Sequence, residues 1–175
     1  FQDKEAYGRI VHLQPLTWKN DWPIIGIDKD GDGIGEPVLS YKKPKVGKAY
    51  PIITPPESDE FNGSSLGMQW QWHANPHISW GFPSGNLGFY RLNCIVRPEN
   101  ETGLWNVPNL LLQKFPAEEF TATTKITFSP RTDNEETGFL IMGEDYQYIS
   151  LKRVDGKLYL RVVKCLDART GGKEE

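Results

Sequence analysis

The stretch YQYISLKRVDGKLYLRVV, residues 146–163, constrains this chain more than any other. Two apolar-rich runs flank Asp155-Gly156. An Asp-Gly pair tolerates the two positive φ angles of a type I′ turn, whose twist matches that of paired strands. An antiparallel hairpin is therefore expected here, with TGFLIMG (137–143) as a neighbouring strand. FTATTKITFSP (120–130) has the clearest alternation. There Phe120, Ala122, Thr124, Ile126 and Phe128 fall on one face, and Thr121, Thr123, Lys125 and Thr127 on the other. LGFYRLN (87–93) and NLLLQKF (109–115) add shorter strands. No period of 3.6 residues is sustained anywhere, so an all-β chain is expected, with an antiparallel β-sandwich as its main architecture.

Composition agrees. Six Trp, seven Tyr and eight Phe accompany thirteen Pro and seventeen Gly. Large aromatics fill the space between sheets, and Pro and Gly close turns. The net charge of −3, with no basic excess, argues against nucleic acid as a partner. No apolar run is long enough for a membrane-spanning helix. Cys94 and Cys165 form no metal pattern, and they could be free or paired. Three segments are expected: residues 1–43 with short β signals, a Pro- and Lys-rich linker over 44–58, and a second domain over 59–175.

In the first segment, PIIGID and PVLSY flank an acidic loop and read as a hairpin with a long tip. Asp28, Asp30, Asp32 and Gly33 match the opening of an EF-hand loop, which makes Ca2+ a candidate ligand. Position 12 of that loop, where a bidentate carboxylate belongs, is Leu39, and Glu36 comes three residues too early. A polar turn satisfied by its own Asp side chains is the simpler alternative. His73 and His77 are four apart, but Pro76 intervenes and no third zinc ligand is placed by spacing. His12 falls in a strand-like stretch, where packing is the ordinary role.

MQWQWHANPHISW (68–80) puts Met68, Trp70 and Trp72 on one strand face and Gln69, Gln71 and His73 on the other. Aromatic rings stack on sugars, and amides and imidazoles bond their hydroxyls. The competing reading places both tryptophans in a sandwich core.

YGRIVHLQPLTWKNDWPIIGIDKDGDGIGEPVLSYKKP resembles the end of the catalytic domain of glycoside hydrolase family 43. SDEFNGSSLGMQWQWHANP, NLLLQKFPAEEFTATTKITF and GFLIMGEDYQYISLKR resemble the concanavalin-like β-sandwich that follows it in the β-xylosidase branch. The resemblance implies the end of a five-bladed β-propeller followed by a sandwich cut short at its C-terminal end, with Phe1 inside the last blade. It implies an inverting β-xylosidase or α-L-arabinofuranosidase acting on xylo- or arabino-oligosaccharides from hemicellulose. The three family carboxylates would come from preceding blades. No catalytic residue is therefore assigned here, and the chain alone is expected to be inactive. No cofactor is required for such chemistry. Gly8-Arg9 resembles a family segment whose arginine reaches the sugar, so Arg9 is a candidate substrate contact. In relatives a sandwich loop helps close the pocket, and WHANPHISWGFPSGN (72–86) makes His77 and Trp80 further candidates. A non-catalytic carbohydrate-binding or structural sandwich module is the alternative.

Overall fold

A computed structural model describes residues 2–4, 8–85 and 87–175. Phe1, Tyr7 and Asn86, which belong to segments singled out above, lie outside the described residues. The chain divides into two compact units, Phe1–Thr54 and Pro55–Glu175. Among the described residues every regular element is a β-strand except one 3-10 turn, Ala168–Thr170, as the periodicity predicts.

In the first unit β1 (Gln2–Asp3) pairs antiparallel with β2 (Arg9–Ile10), and β3 (Leu16–Lys19) with β4 (Trp22–Ile25). Asn20 and Asp21 join β3 to β4 with φ of 52° and 61°, the signs a type I′ turn requires. This corrects the expected pairing of PIIGID with PVLSY. Residues 38–41 form no strand, and the acidic loop is closed only by the isolated bridge Ile27↔Glu36. The two-residue turn wins because it closes a much shorter loop, at lower entropic cost. Gly26 and Gly35 sit where backbones cross closely. A Cβ on Gly26 would overlap the Glu36 carbonyl, and one on Gly35 the Ile25 carbonyl. His12 is exposed and lies in no strand, so the packed role expected for it is not found.

In the second unit β5 (Trp70–Trp72) pairs with β8 (Leu111–Gln113), and β6 (Gly81–Pro83) with β7 (Tyr90–Leu92). The main sheet is β9 (Glu136–Met142), β10 (Tyr146–Val154) and β11 (Lys157–Cys165), with β10 central and both pairings antiparallel. Asp155 and Gly156 turn β10 into β11 with φ of 49° and 74°.

Alternation sorts the side chains of this sheet. One face carries Tyr146, Tyr148, Val163 and Cys165, which form the buried cluster with Ala168 and pack on Leu104, Trp105, Leu140 and Met142. The Tyr146 hydroxyl accepts the Leu104 amide at 2.8 Å and donates to Glu174 Oε1 at 2.8 Å. Further along that face the Glu136 carboxylate receives Arg161 Nη1 at 2.9 and 3.1 Å and the hydroxyl of buried Ser150. The other face carries Phe139, Ile141, Ile149, Leu160 and Val162, all exposed. Residues 120–130 form no ladder, contrary to expectation. Instead Ala122, Thr124 and Ile126 line a groove of about 380 Å³ with Phe139, Ile149 and Leu160. Alternation specifies which side chains share a face, but a strand also needs a neighbour for its amides, and none pairs with it. Cys94 is exposed and Cys165 buried, and both are free thiols.

Candidate functional site

The aromatic residues of the second unit converge on one cluster. Pairing of β5 with β8 sets Trp70 opposite Gln113 and Trp72 opposite Leu111, so both indoles share a face. Trp72 meets Trp80 edge to face at 5.5 Å and Tyr90 at 6.4 Å. Phe61 bridges Trp70 at 5.5 Å and Tyr90 at 5.9 Å. These are separations at which tilted aromatic pairs attract. Asp59 ties the edge of the cluster: Oδ1 accepts the Phe61 amide at 2.8 Å and Oδ2 accepts Trp70 Nε1 at 2.9 Å. Burial pushes the Tyr90 hydroxyl above its ordinary pKa. Met68, expected on the same face, is exposed outside β5.

Trp80 is 9% exposed, so its ring serves the cluster. Its amide bonds the His77 carbonyl at 3.0 Å, and its carbonyl accepts the Asn93 amide at 2.9 Å. These bonds hold an exposed polar rim. His77 Nδ1 lies 2.7 Å from Ser79 Oγ, and Asn93 Nδ2 donates to the Ser79 carbonyl at 2.7 Å. The His77 ring stands 6.5 Å from that of Trp80. His77 Nε2 has no partner among the described residues. An imidazole and a hydroxyl held against an aromatic floor suit bonding to sugar hydroxyls. His73 is placed differently: its Nδ1 pairs with the Val107 carbonyl at 3.0 Å. Sequence reasoning missed Phe61, Tyr90 and Asp59 because they come from segments that only pairing brings together.

In the first unit, the acidic loop curls on itself. Asp28, Asp30 and Asp32 each offer an oxygen within 4.8 Å of the others. Among the described residues no other group of three His, Cys, Asp or Glu could share an ion. Asp28 Oδ1 accepts the Gly31 amide at 2.7 Å, and Oδ2 accepts the Gly33 amide at 3.1 Å and Lys19 Nζ at 3.4 Å. Desolvation pushes the Asp28 carboxyl up, but the Gly31 and Gly33 amides and Lys19 outweigh it and hold its pKa below the ordinary value. Ca2+ takes six to eight oxygens. Leu39 is fully exposed and supplies none from its side chain, and Glu36 Oε2 accepts the Lys29 amide at 3.3 Å. Three carboxylates fit a cation in charge but leave most of its shell to water. Arg9 stands on β2 opposite Asp3, with Nε 3.6 Å from Asp3 Oδ2 and both side chains more than half exposed. Such a pair contributes about 0–1 kcal/mol, so stability alone does not require it.

Residues 58–175 match the model of the β-xylosidase C-terminal concanavalin A-like domain. A β-xylosidase of Formosa agariphila is 33% identical over 95% of this chain and 31% of its own length. A non-reducing end α-L-arabinofuranosidase of Bacteroides ovatus is 29% identical over 82% of this chain and 26% of its own length. A protein of Xylanibacter ruminicola is 34% identical over 95% of this chain and 28% of its own length. The chain thus spans between 26% and 31% of the length of these relatives. No solved structure matches it significantly. By this match over 58–175, and by an all-β fold that agrees with it, the chain belongs to glycoside hydrolase family 43, as a β-xylosidase C-terminal concanavalin A-like domain with the sequence that precedes it.

Proposed function

We propose that this chain is the C-terminal part of a longer glycosidase that releases terminal xylosyl or arabinosyl residues from hemicellulose with inversion. The observation that carries this reading is the domain match over 58–175, together with relatives named as a β-xylosidase and an α-L-arabinofuranosidase. In this reading residues 1–43 complete a catalytic propeller, 44–58 link it to the sandwich over 59–175, and the catalytic carboxylates precede this chain. An inverting enzyme keeps its acid and base about 6.5–9.5 Å apart to admit water. Arg9 would donate to sugar hydroxyls; as a separate proposal, His77, on the rim that Trp80 supports, would bond a sugar hydroxyl.

Two assays test this. The chain alone is expected to hydrolyse neither aryl β-xylosides nor aryl α-L-arabinofuranosides above background. The same chain preceded by its propeller sequence is expected to hydrolyse at least one. In that longer protein His77→Ala is expected to raise KM for short xylosides by about tenfold, the loss of one good hydrogen bond. Activity from the chain alone, or an unchanged KM, would count against these roles.

We also propose that the Asp28–Asp30–Asp32 loop binds Ca2+ weakly, because its oxygens converge within 4.8 Å. Calorimetric titration should give a Kd of about 10⁻⁴–10⁻³ M, as for partly hydrated extracellular sites. Asp30→Asn should weaken it further. No heat at millimolar Ca2+ would leave the loop as a turn held by its own amides and Lys19.

A further inference from the structure

The β6–β7 hairpin has two unlike faces. Gly81 opposite Leu92 and Pro83 opposite Tyr90 share the face on which Tyr90 joins the aromatic cluster. Phe82 and Arg91 oppose each other on the remaining face. Phe82 is 47% exposed, and nearby Phe89 is 39% exposed. The Arg91 guanidinium carbon lies 6.0 Å from the Phe82 ring centroid and 5.9 Å from that of Phe89. The turn beyond holds Phe89 in place: the Ser84 amide bonds the Phe89 carbonyl at 3.0 Å, and Ser84 Oγ accepts the Phe89 amide at 3.2 Å.

Among the described residues Arg91, like Arg97 and Arg131, pairs with no carboxylate, and it differs from those two in lying against two aromatic rings. Arg153, Arg161 and Arg169 each pair with a carboxylate at 2.9–3.2 Å. Among the described residues the Arg91 guanidinium makes no hydrogen bond or ion pair and lies against the two rings. Aromatic faces fix a guanidinium through its charge without using its in-plane N–H donors. The result is a pre-oriented, exposed fork whose geometry matches a carboxylate, beside apolar rings suited to the C–H face of a sugar. Hydroxyls of a neutral pentose can accept from that fork, but only a carboxylate also matches its charge and its paired donors.

We propose that Phe82, Phe89 and Arg91 form a binding site for a uronic-acid sugar, its carboxylate on Arg91 and its ring against phenylalanine. Together with the glycosidase reading, on which this choice of source rests, the ligand is a glucuronate branch on a xylan backbone. The site would hold the sandwich on acidic substituted regions of the polymer.

The test titrates the 175-residue chain with three probes. They are a xylo-oligosaccharide bearing one glucuronate branch, its unsubstituted counterpart, and a galacturonate oligomer. The branched probe is expected to bind at least about tenfold more tightly than the neutral one, with an advantage that shrinks as salt rises. Arg91→Ala should abolish the advantage, and Arg91→Lys, which keeps the charge without the fork, should retain only part of it. Unchanged circular dichroism would show that the variants still fold. Equal binding of the branched and neutral probes, no binding of either, or an advantage that survives Arg91→Ala would overturn the proposal. Binding of the galacturonate oligomer alone would overturn its assignment to xylan. Hydrolysis by the longer protein does not depend on this titration, so failure here is distinguishable from failure of the glycosidase reading.

Discussion

Replacing Trp80 by alanine is expected to destabilise the Pro55–Glu175 unit by about 3–5 kcal/mol, the range for removing a buried large aromatic. The ring packs edge to face on Trp72 at 5.5 Å and is 9% exposed. Its removal takes away a large apolar area and leaves a cavity that the short β5 and β6 strands cannot close. A domain of this size is stable by about 5–15 kcal/mol in all, so the loss is a large fraction. Trp80→Phe should lose less, because part of the contact with Trp72 survives. Urea unfolding followed by tryptophan fluorescence measures both. A loss under about 1 kcal/mol for the alanine variant would mean that the ring is not packed as described. This result also separates two roles in the candidate site. If Trp80 acts by supporting the His77 rim, Trp80→Phe in the longer protein should preserve most activity while His77→Ala should not.

The second large effect lies at alkaline pH. Burial raises the pKa values of Tyr146 and Tyr148 well above the ordinary tyrosine value. The charges of Glu136 and Glu174 raise Tyr148 further. At Tyr146 the bond to Glu174 adds to burial, while the Leu104 amide opposes it. Both groups bind a proton more tightly folded than unfolded. Their contribution is therefore complete below pH of about 10, the unfolded value, and is lost as pH rises from there toward the folded values. The loss approaches about 1.4 kcal/mol per pH unit for each tyrosine once the unfolded chain is ionised. Denaturant midpoints measured from pH 8 to 12 should fall steeply above 10. The two phenylalanine variants should differ at neutral pH. Tyr146→Phe leaves the Leu104 amide without its acceptor, at about 1–3 kcal/mol. The Tyr148 hydroxyl is buried without a hydrogen-bond partner among the described residues, so Tyr148→Phe should be neutral or slightly stabilising. A flat pH profile for the parent chain would contradict the burial of both rings.

The hairpins were legible wherever turn chemistry and alternation coincided. Residues 146–163 announce their turn with Asp-Gly and their faces with period two, and β10 and β11 follow. Asn20-Asp21 carries a weaker signal of the same kind, because both residues tolerate a positive φ but neither is the glycine that marks a two-residue turn most clearly. Residues 120–130 show the opposite case, since the pattern is present and the ladder is not. The site was legible only in part. His77 and Trp80 could be singled out from one aromatic segment, whereas Phe61 and Tyr90 join it through contacts across 9 to 29 positions.

What the sequence determined alone was the class of structure: strands instead of helices, and which side chains share a face. Those properties follow from backbone sterics and side-chain period, which act over a few residues. Only the tertiary structure decided that Trp70 and Trp72 meet Phe61, Trp80 and Tyr90, and that Arg91 lies against two phenylalanines without an acceptor. Those outcomes depend on which distant segments pair. Pairing is settled by the summed burial and hydrogen bonding of the whole unit, a quantity that no local stretch contains.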